Sequence, residues 1–555
     1  MDVAQDTRVD ERGQETFRWD RREVAEILRE LTAEGASVRQ FAAQREVPRS
    51  TVGYWKARQA AIPADPDWVQ FFESPAGLEF LQRLLVALHL IFVLDAGCGV
   101  RKVGRFLDLV GLAPFVACSY AVQHRFSLEL QEAVVEYGRQ QRERLAAEMA
   151  SEPPKRVALA QDETYHGQKT CLVAMEPVSG FIVVEAYCER CDEATWTRVV
   201  SAATEGLPVE VIQGVSDQGS GLVAHLTAQG RHHSPDLFHV HQPIGRATTC
   251  ALARQERLAE ETLVKAQRRT EQLRAEWSAC QEQCGESEAV ASLREAWTAA
   301  EEQQEAAAES VRACRQRCQK AAEARRGLSD DYHPFDLQTG APLEAEDVSA
   351  RLEAHFDQIE QVVEEAGLSP TAHEKIAKAR RLVTALVATI AFFWRSVRSD
   401  LERLSLGPEW EALLLQQLIP GYYLLRVAEK ASGAERRREL RARGEALLQR
   451  ARDGPLADLA EQDRQRLEEL AQQYADLFQR SSSCVEGRNG HLSLWHHSHH
   501  RLSARHLAAL TVLHNSFHLR PDGTTAAERF FGQRPDDLFE WLLERLPAPP
   551  RPARR

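Results

Sequence analysis

The spacing of apolar positions along this chain changes from helical to alternating and back to helical. Val24, Ile27, Leu28 and Leu31 recur at helical spacing from Arg21 onward, and Gly35 stops the run. Ser37 is placed to cap a second helix over 38–44 that buries Val38, Phe41 and Ala42. Val47-Pro48-Arg49 predicts a turn, and Ser50 caps a third helix over 51–59. After the linker Pro63-Ala64-Asp65-Pro66, residues 67–150 keep a helical period and end in a polar helix over 128–149. Past Pro153-Pro154 the pattern becomes that of strands, over 157–162, 170–176 and 181–187, with Pro177-Val178-Ser179-Gly180 as a hairpin turn. Asp192 caps a helix through Ala203, a strand follows over 209–215, then a helix over 220–229 and a short strand over 236–240. From about 247 to 480 the pattern is helical again, with Gly285 as a bend in a coiled-coil-like stretch rich in Ala, Glu, Gln, Arg and Leu.

This order divides the chain. Residues 18–62 read as a helix-turn-helix, three short helices with a tight turn before a basic last one. A helical region covers 67–150. An α/β core of order β-β-β-α-β-α-β occupies 155–246, is interrupted by an all-α insertion over 247–480, and resumes over 481–546. Residues 547–555 read as a disordered tail.

Composition narrows the class. With 43% hydrophobic and 27% charged residues, the 555-residue chain reads as a soluble, multidomain globular protein. The longest apolar run, 84–94, is broken by His89 and is shorter than a membrane span. No secretion signal is visible at the N-terminus, and eleven cysteines in so long a chain fit a reducing cytoplasm better than a disulfide scaffold. The net charge of −13 argues against a polyanionic partner, but positive charge is concentrated locally. Between Arg39 and Arg58 five basic residues, Arg39, Arg49, Lys56 and Arg58 among them, meet one acid, Glu46. Between Glu486 and Arg520, four arginines and eight histidines meet no acid but Glu486.

Three acids carry the candidate chemistry. Asp162 closes the first predicted strand, Asp217 follows the fourth, and Glu486 stands in Cys484-Val485-Glu486-Gly487-Arg488-Asn489. Carboxylates gathered from neighbouring strand ends and a distant segment can hold two hard cations for phosphodiester chemistry. Taken singly, Asp162 and Asp217 also fit capping roles. Glu163 competes with Asp162, although adjacent strand residues face opposite sides, and Glu528 competes with Glu486, although Thr524-Thr525 before it suggests a helix start.

Other motifs carry less. Phe92-Val93-Leu94-Asp95-Ala96-Gly97-Cys98-Gly99 resembles the first motif of S-adenosylmethionine-dependent methyltransferases, but Val100-Arg101 replaces the next expected glycine, and a helix-ending turn accounts for it better. Cys188-x-x-Cys191 lacks a partner pair. The pairs Cys280/Cys284 and Cys314/Cys318 would meet as a zinc site only if the helical hairpin turned near residue 299; a turn at Gly285 keeps them apart. The run His496-His497-Ser498-His499-His500, with Arg488, Arg501 and Arg505, is better suited to DNA phosphates or to packing beside the site than to zinc.

Asp162, Asp217 and Glu486 in this order, Asp236-x-x-His239, the segment Arg520–Phe530 and the N-terminal three-helix pattern together resemble the DDE transposases of bacterial insertion sequences that carry a helical insertion. The resemblance covers most of the chain outside the details of that insertion. It implies a ribonuclease-H-like core, with Asp162, Asp217 and Glu486 holding two Mg²⁺ or Mn²⁺ ions and Asp236 and His239 in support. It implies strand cleavage and transfer on transposon-end and target DNA, contacted by Arg39, Arg49, Lys56, Arg58, Arg488 and Arg501. A dimer or larger assembly holding two DNA ends in the bacterial nucleoid is expected. A regulator that has lost catalysis and a nuclease of the same fold are the alternatives.

Overall fold

The computed structural model describes residues 7–9, 15–17, 19–149, 154–499 and 502–553. The chain is predominantly helical around one small mixed sheet. Strands β1 (Thr7–Val9) and β2 (Glu15–Phe17) form an unpredicted antiparallel ribbon. The sheet comprises β3 (Lys155–His166), β4 (Lys169–Met175), β5 (Ile182–Cys188), β6 (Val209–Ser216) and β7 (His232–Pro235) in the order β5-β4-β3-β6-β7. β3-β4 and β4-β5 are antiparallel, whereas β3-β6 and β6-β7 are parallel.

The alternation in β4 shows how the sheet separates two cores. Cys171, Val173 and Met175 face a layer that includes Tyr137, Val485, Leu492 and Leu510. Leu172 and Ala174 face Trp196, Val200, Leu222 and Phe530. The helix Ala504–Ser516 covers the β5 edge, where Asn515 exchanges two hydrogen bonds with the Ile182 backbone (2.9 and 3.0 Å). That contact occupies backbone groups an edge strand would otherwise expose.

The first three helices, Arg21–Glu34, Val38–Gln44 and Arg49–Ala60, enclose Val24, Leu28, Phe41, Val52 and Trp55. Gly35 ends the first in a left-handed conformation (φ 58°), and Ser37 caps the second. The third begins two residues early: Pro48 is its cap, so Ser50 lies inside it. The polar helix of the next region is Tyr120–Met149, longer than 128–149. The Phe92–Gly99 segment is a helix end, in which a π-helical stretch stops at Asp95 and Gly97 takes φ 69°. Pro75–Asp95 is long and apolar enough to cross a membrane by length and composition; most of it is buried within the protein.

Three expectations need correction. Residues 236–240 are not a strand: β7 ends at Pro235, and Asp236 caps the helix Leu237–Cys284 by accepting from the Phe238 amide (2.9 Å). The stretch 375–396, whose amphipathic spacing predicts a single helix, is divided between two, Pro370–Arg380 and Val383–Leu404. The described part of the tail is docked rather than loose. Ala117 donates to the Pro550 carbonyl (2.8 Å), Arg21 to Pro549 (2.7 Å) and Arg58 to Pro552 (3.1 Å). Arg551 and Arg21 share the buried carboxylate of Glu73. Prolines bring no amide donors, yet their carbonyls accept from these arginines, a long-range pairing invisible in the tail's composition.

The long helices Leu237–Cys284 and Glu288–Asp331 form an antiparallel hairpin that turns at Gly285 (φ 57°). Thr270 bonds the Ala300 carbonyl, Trp277 meets Trp297, and Arg315 reaches Glu256 and Glu260. Cys314 packs beside Ala259, so Cys280 lies roughly 30 Å further along the hairpin, at 1.5 Å per residue. The two cysteine pairs cannot share one ion. The remaining helices, through Glu461–Leu477, bury their own core around Phe335, Phe393, Trp394 and Tyr423.

Candidate active site

Parallel pairing places the first two acids side by side. Ala160 of β3 is opposite Val215 of β6, the last pair between them; Asp162 lies two residues further within β3 and Asp217 one residue past the end of β6, close enough for Asp217 to raise the Asp162 carboxyl. β3 itself continues to His166, because its hairpin with β4 outlasts its pairing with β6; Asp162 is inside the strand rather than at its end. One strand further, Pro235 pairs with Ser216, which sets Asp236 level with Asp217.

Asp217 is not a helix cap. Gly219 caps Ser220–Ala228, and among the described residues the Asp217 carboxylate accepts only the Gly219 amide (2.8 Å). Its carbonyl accepts from Ser216 Oγ (2.9 Å) and lies 3.2 Å from His233 Nε2, which fixes the backbone beneath the carboxylate.

Glu486 arrives on the first turn of the helix Ser483–His499. Three residues on, Asn489 Nδ2 donates to Asp162 Oδ2 (2.8 Å), and His496 stacks on His166 at the end of β3 (5.1 Å). The helix therefore runs along β3, on the face that carries Asp162. Glu486 sits closest to Asp236 and His239: one ligand atom from each of the three falls within 4.8 Å of the others. Among the described residues, Asp162, Asp217 and Glu486 do not gather within so small a span.

The cluster is short of positive charge. Burial, with Asp217 and Glu486 nearby, raises the Asp162 carboxyl to about 6, against the pull of hydrogen bonds from the Glu163 amide and Asn489. Glu163 is raised to about 7 by burial, with Asp217 and Asp162 adding to it. Asn489 bonds Asp162 and not Glu163. Burial and Asp236 also raise Glu486, while His239 pulls the other way. Asp236 is fully buried; one oxygen caps its helix and the other accepts from the Ser482 amide (3.1 Å) and hydroxyl. It ties the start of the hairpin to the segment leading into Glu486.

The expected cationic residues separate into groups. Arg39, Arg49 and Lys56 are exposed on the three-helix unit. Arg58 is half-buried and held by the tail. Arg488 is not a surface contact. It forms a two-bond fork with Glu185 (2.7 and 2.6 Å), and both side chains are almost wholly excluded from solvent. Its place on the inner side of the helix, over β5, decides this. Arg501 lies outside the described residues, and Arg505 pairs with Glu132 (2.6 Å). Glu528 sits in the first turn of Ala526–Phe531, where Thr525 caps its amide (3.1 Å), as its sequence context suggests.

Asn489 and Glu185 were missed. The Glu486-x-x-Asn489 spacing, which puts both on one helix face, was the available signal for Asn489. A lone acid inside the apolar strand Ile182–Cys188 was the signal for Glu185.

Residues 414–555 match a family described as a family of unknown function (DUF6399). The matched segment holds Glu486 and the tail but neither Asp162 nor Asp217. No curated protein matches the chain.

Proposed function

We propose that this chain is a DDE-type DNA transposase, a metal-dependent enzyme that nicks DNA and joins the freed end to a target. The observation carrying this reading is that Asp162 in β3 and Asp217 just past the end of the parallel neighbour β6 come to the same edge of the sheet, with the Glu486 helix bonded to Asp162 through Asn489. The sheet order supports a ribonuclease-H-like core: a central first strand, two antiparallel strands on one side and two parallel strands on the other. The three-helix unit with exposed Arg39, Arg49 and Lys56 supports a helix-turn-helix reader of DNA ends.

The donor set fits hard divalent cations, since it is made of carboxylate oxygens whose proton affinities are raised by burial first and by neighbouring carboxylates second. Asp162, Asp217 and Glu486 would hold Mg²⁺ or Mn²⁺, with Asp236 and His239 beside Glu486. Such ions supply an acidified hydroxyl nucleophile and neutralise charge on the phosphodiester oxygens. The protein's own part is positional. β3 and β6 fix two carboxylates, Asn489 orients Asp162, and Asp236 with Ser482 fixes the approach of Glu486.

The test is nicking and joining of labelled DNA carrying the ends that flank the gene, with Mg²⁺ or Mn²⁺, by the full chain and by Glu486→Gln. Loss of both steps in the variant, with DNA retention in Ca²⁺ unchanged, supports the reading. Cleavage by Glu486→Gln at the wild-type rate, or none by the wild type, overturns it. Cutting without joining would make the enzyme a nuclease of the same fold.

A further inference from the structure

Where the long hairpin leaves the sheet, its two helices open into a cleft of about 630 Å³. Arg246 lines one wall, Arg325 and Arg326 the other, with His241 between them and Phe238 at the rim. What distinguishes these three is their convergence on one cleft of an acidic protein. Other arginines of the insertion are answered by acids, as Arg315 is by Glu256 and Glu260, or stand singly on exposed helix faces, as Arg254 and Arg294 do. Among the described residues, Arg246, Arg325 and Arg326 form no salt bridge.

The cleft is held open. Arg325 donates to Thr249 across the hairpin (3.4 Å), and a Cβ at Gly245 would stand 3.1 Å from its guanidinium nitrogen, so glycine leaves the space it occupies. His241 Nε2 is engaged by Ser329 (2.9 Å). Burial, Arg325 and Arg480 depress the His241 imidazole to about 4, so it adds no charge of its own at neutral pH. Phe238 is 44% exposed and meets His239 edge-on (5.5 Å). His239 adjoins Glu486, so the cleft opens directly beside the carboxylate cluster.

We propose that this cleft binds the phosphodiester backbone of the DNA strand as it leaves the carboxylate cluster. The identity of the strand rests on the proposed function; the cationic groove does not. Three guanidiniums that meet no carboxylate among the described residues, beside an anionic site, match a polyanion that must pass both, with phosphates on the arginines and the scissile bond among the carboxylates. A small free anion would not need an open groove with an aromatic rim.

The experiment measures fluorescence anisotropy of a labelled duplex with a single-stranded extension, in Ca²⁺, across a salt series. It compares the full chain with Arg246→Ala/Arg326→Ala, which changes two side chains outside the packed core, and with Arg246→Lys/Arg326→Lys. The alanine variant should bind more weakly, and its log–log salt slope should be smaller by about 1.5 to 2, the change expected for two lost phosphate contacts. The lysine variant should restore the slope. A wild-type slope in the alanine variant, or no DNA binding by the wild type, overturns the cleft. Nicking in Mg²⁺ reads the other hypothesis separately. DNA held by these arginines without any nicking keeps the cleft and removes the transposase reading; nicking with an unchanged salt slope does the reverse.

Discussion

Two charged side chains on the helix Ser483–His499 meet burial in opposite ways. Arg488 is almost wholly enclosed, yet every charge near it is answered: Glu185 receives both arms of its guanidinium, and Thr511 adds a third bond to the same carboxylate (2.6 Å). Glu486, two residues earlier, is only partly buried, and among the described residues its carboxylate accepts no hydrogen bond while facing Asp236. The first arrangement is scaffold, because enclosed opposite charges in good geometry tie the helix to β5. The second costs stability, as the proposed role of Glu486 as a cation ligand would require. On one helix, the compensated charge marks structure and the uncompensated one belongs to the proposed site.

The strongest way to break this contrast is Arg488→Ala. It leaves Glu185 charged and enclosed, and should destabilise the protein by about 3–5 kcal/mol in urea unfolding. Replacing Arg488 and Glu185 together by Met and Leu should recover much of the loss. A mild effect of Arg488→Ala would show that the pair is not the anchor its geometry suggests.

Glu486→Gln should move function and stability in opposite directions. Nicking should fall more than about 100-fold, beyond what loss of an outer-shell partner produces, while the melting temperature holds or rises as repulsion with Asp236 is relieved. A drop in melting temperature would place Glu486 with Arg488 as scaffold.

Asn489→Ala is expected to cost about 10- to 100-fold in nicking, the range for a residue that orients a ligand. The Asn489 hydrogen bond lowers the proton affinity of Asp162, so its loss should raise the Asp162 carboxyl further above 6. The acid limb of the pH–rate profile should then shift to higher pH. An unshifted limb would remove Asn489 from the site.

The smallest effects concern pH and stability. The folded Asp162 affinity, about 6, lies above its unfolded value of 3.8, so the ionised form opposes folding. Relative stability from this group is therefore full below 3.8 and lost as pH rises through 6; Asp162→Asn should be stabilising at neutral pH, with the gain vanishing in acid. His89 has the reverse sign. Buried against Gln123, it is depressed from 6.5 to about 4, so its contribution is present above 6.5 and lost as pH falls through 4. His89→Gln should flatten acid unfolding across that window by up to one proton, or about 1.4 kcal/mol per pH unit.

Local signals carried much of this fold. Short apolar, β-branched runs located β3, β4, β5 and β6, and Asp192 and Ser37 marked the helix starts they cap. Gly285 marked the hairpin turn because a left-handed residue was required there. That the strands leading to Asp162 and Asp217 are neighbours was implied by the resemblance to the transposases, and β3 and β6 do pair in parallel. Where residue 236 was concerned, the same logic failed: four polar and cyclic residues, His232–Pro235, formed the strand, and the apolar run after them became a helix. Tertiary pairing with β6 decided this over local propensity.

What the sequence by itself determined are the features written within a few residues: periodicity, caps, turns and the succession of the three acids. Only the tertiary structure decided which charges are answered. Arg488 and Glu185 are 303 residues apart, Asn489 and Asp162 are 327 apart, and Arg21 reaches the tail carbonyl of Pro549 across 528. Arg488 therefore read as a free surface cation and the tail as disordered, while Asn489 went unnoticed. Composition and spacing report only neighbours along the chain, whereas the energy of a buried charge depends on the partner that folding places beside it.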